Sequence, residues 1–137
     1  MNEAELREIR AWLEKALEDL RSAEWLLQNP YGLYNAVGFH SQQAAEKAIK
    51  AYLTWREDPF EKTHSLVALV SQSLRFDGSF EELRDAATEL TPYAVTSRYP
   101  AELPELSYDE ATESLHRARQ VWEFVLKRLP QETQPGE

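Results

Sequence analysis

The chain contains no cysteine, which excludes disulfides, zinc thiolate centres and thiol nucleophiles together. Glycine is nearly as scarce, at 4 in 137 residues, so a Gly-rich backbone cradle for phosphates is improbable. Neither a G-x-S-x-G elbow nor a kinase-like set of motifs occurs. There is no basic excess either. The formal net charge of −9 opposes general binding to nucleic-acid backbones, which rests on clustered Lys and Arg releasing counterions. No apolar run approaches the ~20 residues of a spanning helix, and MNEAELREIR is charged where a signal peptide is apolar. These features set the expectation of a soluble, cytoplasmic protein that does not associate with membranes.

What the sequence has is helical periodicity. The length fits one domain, and a composition 42% hydrophobic and 28% charged is ordinary for a folded chain. Ile9, Leu13, Ala16, Leu20, Ala23 and Leu27 recur at alternating spacings of four and three, one face of a first helix. Asn29-Pro30 reads as a break and restart, with Asn as cap and Pro in the first turn. A second long helix is expected from about Tyr31 to Trp55, ended by Asp58-Pro59. Thr63 is a plausible cap for a short helix carrying Leu66, Leu69, Val70 and Leu74. Ser79 and Glu82 form an S-x-x-E capping box opening a fourth helix, whose core face is Phe80, Leu83, Ala87, Leu90 and Ala94. Pro92 should kink it or end it near Tyr93.

TSRYPAELPEL has two prolines and no periodicity and reads as a connection. Ser107 and Glu110 repeat the capping box and start a last helix with the stripe Tyr108, Ala111, Leu115, Ala118, Trp122, Val125 and Leu129. No strand-like alternation of useful length appears. The expected fold is all-α, an up-and-down antiparallel bundle of four to five helices over residues 1–129, followed by a flexible polar tail at 130–137.

Candidate chemistry is sparse. Glu-x-x-His occurs as Glu61/His64 and Glu113/His116, a spacing that can hold a di-iron centre in a bundle. Leu115 and Ala118 point into the core, however, which turns Glu113 and His116 outward, and no cofactor or metal is expected. The most basic region, His116, Arg117, Arg119, Lys127 and Arg128, complements a helix C-terminus as readily as it holds an anion.

The second helix is different. At roughly 100° per residue, Gln43, Glu46, Lys47 and Lys50 share one arc of about a third of the circumference, while the remaining directions are apolar or Ala. Such a helix should be central, touched on most sides. The arc is either a narrow solvated face stitched by Glu46 and Lys50 at i,i+4, or the lining of a site. His40, on the apolar side, reads as a hydrogen-bonded packing residue. Aromatic residues are in surplus for one modest core, and Trp12 and Trp25, off the main stripe, suggest self-association, with core packing as the alternative.

AVGFHSQQAAEKAIKAYL, THSLVALV, SRYPAEL and SYDEATESLHRARQVWEFV, taken together over about Leu6 to Leu129, resemble a small stand-alone HEPN domain. The resemblance implies a helical bundle that pairs into a homodimer, association with nucleotide or RNA, and a minimal nucleotidyltransferase as partner. Many members are metal-independent endoribonucleases carrying Arg-x4-6-His. This sequence departs from that pattern, since none of His40, His64 and His116 follows an arginine at that spacing, and enzymatic activity is not expected. What matches the non-nuclease members is Gln43, Glu46, Lys47, His64, Arg98 and Tyr99. In that reading Lys47 and Arg98 supply charge for a phosphate, Gln43 hydrogen-bonds a base or ribose, and Tyr99 stacks. The rival readings are a ribonuclease toxin using a nonstandard set, such as His64 with Arg98, and a scaffold that only dimerises.

Overall fold

The structure, a computed structural model, describes residues 1–94 and 105–136. Among them are five α-helices and no strand: α1 (Glu3–Leu27), α2 (Tyr34–Trp55), α3 (Leu66–Ser73), α4 (Arg84–Leu90) and α5 (Tyr108–Arg128). Contacts between Asp19 and Lys47, and between Trp12 and Lys50, set α1 antiparallel to α2. Glu89 with Arg117 and Asp77 with Arg128 set α4 antiparallel to α5.

Local chemistry starts and stops these helices. Asn2 accepts from the Glu5 N–H while Glu5 reaches back to the Asn2 N–H, a capping box for α1. Ser107 and Glu110 do the same for α5, as expected. The restart before α2 is built otherwise than the Asn29-Pro30 reading supposes. Asn29 Oδ1 accepts from the Tyr31 N–H at 2.9 Å in a local turn, and Gly32 adopts φ +67, which ordinary residues avoid. The helix therefore begins at Tyr34, not Tyr31. Ser65 rather than Thr63 caps α3, accepting from the Ala68 N–H. Asp77, through Ser79, opens a 3-10 turn over Gly78–Leu83 ahead of α4. Helix α4 stops at Leu90 and continues as a 3-10 turn, Thr91–Ala94, around Pro92.

Helix α2 is the central rod. It packs on α1 and α5 most extensively, and also on α3, α4 and the Thr91–Ala94 turn. The reason lies in its small residues. Ala44, Ala45, Ala48 and Ala51 are wholly buried, and so little side chain between two axes lets neighbouring helices close in. At Gly38 a Cβ would stand 2.6 Å from Leu106 Cδ1, so the segment before α5 packs directly on the rod there. Phe80 anchors the lower core between Tyr52 and Phe124, with ring centroids 4.6 and 4.9 Å apart.

The α5 stripe changes at three positions. Tyr108 is exposed, its ring edge-on to Tyr34, while Ser114 and Val121 are buried on α5 instead. Part of the polar end packs on the bundle. Thr133 is fully buried, and Arg10 donates to the Glu132 carbonyl at 2.7 and 3.0 Å.

Phe80→Ala should cost about 3–5 kcal/mol in denaturant unfolding, because the ring is fully enclosed and its space cannot refill. Tyr31→Ala, at an exposed turn, should stay within about 0.5 kcal/mol of wild type.

Candidate functional site

The polar arc of α2 is neither a solvated face nor a set of free side chains. Glu46 and Lys50 are 3% and 7% exposed, and Lys50 Nζ donates to Glu46 Oε2 at 3.0 Å. The other Glu46 oxygen, Oε1, accepts from Gln42 Nε2 at 3.1 Å and from His64 Nδ1 at 2.9 Å. Gln42 also donates to the His64 carbonyl at 3.0 Å. His64 is thereby held at both its ring and its backbone, which pins the segment between α2 and α3 along the rod. Its ring remains largely exposed, at 69%.

Lys50 closes this cluster from the other side. Its ammonium lies 5.6 Å from the Trp12 ring centroid and 5.4 Å from that of Phe60, and those two rings meet edge-on. Cation–π attraction of this kind stabilises an ammonium removed from water. Trp12 is therefore engaged in packing against Lys50 and Phe60. Trp25 and Tyr31 are 75% and 84% exposed.

A second cluster bridges α1 and α2. Asp19, largely buried, accepts from Lys47 Nζ at 2.5 Å through Oδ2 and from His40 Nδ1 at 2.8 Å through Oδ1. Lys47 and His40 keep roughly a quarter and a third of their side chains accessible. Gln43 donates to Gln42 Oε1 at 2.6 Å and sits between the two clusters. Gln43, Glu46, Lys47 and His64 thus come together on one strip. Arg98 and Tyr99 lie outside the described residues.

Asp19, His40 and Gln42 belong to these clusters, although the periodicity does not single them out as polar-strip residues. Asp19 had one usable signal, an acid at the edge of an otherwise apolar stripe, beside Leu20 and three residues after Ala16. His40 is hydrogen-bonded, as its packing assignment requires, and its partner is a charged group on another helix.

Burial pushes the Glu46 carboxyl up, but hydrogen bonds from Gln42, His64 and Lys50, with the Lys50 charge, outweigh it and hold it below the usual glutamate range. Networks of this kind hold polar groups in fixed orientations. They contain no activated nucleophile.

The basic region of α5 is engaged elsewhere. Arg117 pairs with Glu89 at 2.7 Å, Arg119 with Glu24 at 3.3 Å and Arg128 with Asp77 at 3.0 Å. These guanidinium groups tie helices together. Glu113 pairs with Arg117 at 3.0 Å, and His116 faces outward. Among the described residues no group of three or more potential ligands could hold a metal ion, and no helix is long and apolar enough to cross a membrane.

A family model described as HEPN domain matches residues 9–129. Two crystal structures share the architecture. TT1696 from Thermus thermophilus is 32% identical with a TM-score of 0.78, over 89% of this chain and 98% of its own. ST0689, an archaeal HEPN homologue, is 25% identical with a TM-score of 0.71, over 88% of this chain and 97% of its own. No curated protein matches.

Glu46→Gln removes the charge opposite buried Lys50 and should cost about 3 kcal/mol or more at neutral pH. A carboxyl held below its unfolded-state value stabilises the fold at neutral pH, and that contribution is lost as pH falls through the folded-state value. The variant should therefore lose stability less steeply than wild type below the usual glutamate range. Equal acid slopes in denaturant titrations would contradict this role of Glu46.

Proposed function

This chain belongs to the HEPN domain family, and from that premise we propose a homodimeric binding module that takes a nucleotide, or docks a minimal nucleotidyltransferase, through the polar strip of α2. The observation that carries the proposal is the pairing of order with access. Lys47 and Gln43 are fixed by Asp19 and Gln42, yet both keep accessible surface, as do the His40 and His64 rings. Donors already held in place lose little rotamer freedom on binding, which favours specific recognition. Gln43 has unused hydrogen-bonding capacity for a base or ribose, and Lys47 for a phosphate oxygen.

Dimerisation has separate support. Trp25, Tyr31, Leu33 and Tyr108 are exposed, and they fall near the end of α1, the start of α2 and the start of α5. Aromatic surface of this size fits an interface better than open water. Ribonuclease activity is the weaker reading, because Arg-x4-6-His is missing and both buried carboxylates are occupied in holding neighbours.

Lys47→Ala should weaken nucleotide binding about tenfold or more, the loss expected for one charge-assisted contact, while far-UV circular dichroism stays helical. Isothermal titration with unchanged affinity in both Lys47→Ala and Gln43→Ala would discard the strip. Light scattering should give twice the chain mass.

A further inference from the structure

The charge of the strip raises a question of its own. Lys47 is matched by Asp19 at 2.5 Å and Lys50 by Glu46 at 3.0 Å. These two cations and two anions cancel, so beyond the direct contact that Lys47 offers, the pairs add no net positive charge to the strip. Two groups in the network are able to tip the balance, His40 and His64. Each presents Nδ1 to one of the same two carboxylates, at 2.8 and 2.9 Å. An ionised carboxylate only accepts, so Nδ1 carries the proton and Nε2 is the nitrogen left for a ligand. A neutral ring offers a lone pair there, which repels an anion's oxygen. A protonated ring offers an N–H and a positive charge.

The rotation of α2 sets Gln43 between the two histidine–carboxylate pairs. Advancing about 100° per residue, Gln43 lies about 60° from His40 on one side and about 60° from Glu46, which carries His64, on the other. Among the described residues, the charged groups facing the rings are Asp19 from α1 and Glu46, Lys47 and Lys50 from α2.

We infer that His40 contacts the ligand of this strip, and that the strip captures a phosphoryl or other oxyanion together with protons taken up by His40 and His64. Asp19 is then a positioning residue that aims His40 and Lys47. The inference rests on the nucleotide reading and adds to it a ligand charge and a dependence on pH. Affinity for an anion of fixed charge rises as pH falls, by up to about tenfold per unit for each proton taken up.

The test is calorimetric titration of the full chain with cyclic AMP, a phosphodiester of constant charge, and with sulfate. It is run at about pH 5.5 and about pH 8, on either side of the histidine range, in two buffers of different ionisation enthalpy. The expected result is at least tenfold tighter cyclic AMP binding at the lower pH, with proton uptake. His40→Gln and His64→Gln should each reduce that uptake, with helicity checked by circular dichroism. In wild type, NMR titration of the two rings should move with ligand, which keeps the test independent of the variants. Equal affinity at both pH values without proton uptake overturns this inference and leaves the nucleotide reading standing. Proton-linked sulfate binding without cyclic AMP binding overturns the nucleotide reading and leaves the oxyanion inference standing. No binding of either probe overturns both.

Discussion

Everything on α2 depends on how Glu46 is satisfied. A carboxylate 3% exposed loses several kcal/mol of solvation, and only a full set of donors makes such a position tolerable. Gln42, His64 and Lys50 supply that set from three places: one turn back on the same helix, one turn forward, and the segment before α3. Removing any donor exposes the rest to the same penalty. A fully satisfied polar network therefore fixes one arrangement of neighbours where an apolar seam tolerates several. The Asp19 cluster does for the α1 seam what the Glu46 cluster does for the α3 side.

The burial itself comes from alanine. Because Ala44, Ala45, Ala48 and Ala51 are wholly buried on α2, α1 and α5 approach closely, and Trp12 and Asp19 of α1, with Phe60 and His64, reach the polar arc. Bulkier residues there would hold the neighbours away and leave Glu46 and Lys50 in water. Packing on the apolar side thus decides the electrostatics on the polar side. Any binding by this member of the HEPN family is then a property of ordered, partly covered side chains rather than of a mobile charged surface.

The sequence made the helices legible because they obey local rules: the Ser107 and Glu110 capping box, the stripe from Ile9 to Ala23, and the stop at Pro92 all involve residues within a few positions of one another. What it hid was set by distance. An i,i+4 pair such as Glu46 and Lys50 reads the same whether exposed or enclosed. The difference is made by Trp12 and Phe60, which the chain brings from either side of α2. Asp19 gives no local sign of its bridging role, because its partners, His40 and Lys47, lie 21 and 28 positions away. Glu132 likewise met Arg10 across 122 positions. The Gln43, Glu46, Lys47 and His64 group was recoverable from one arc and one motif, whereas the role of Asp19 needed the packing of α1.

The most direct measurement is an amide and side-chain NMR perturbation map on adding a nucleotide to the full chain. The account predicts shifts concentrated on Asp19, His40, Gln43, Lys47 and His64, with α5 beyond Ala118 unmoved. Perturbations confined to the outward face of α5, or spread evenly over the surface, would contradict it.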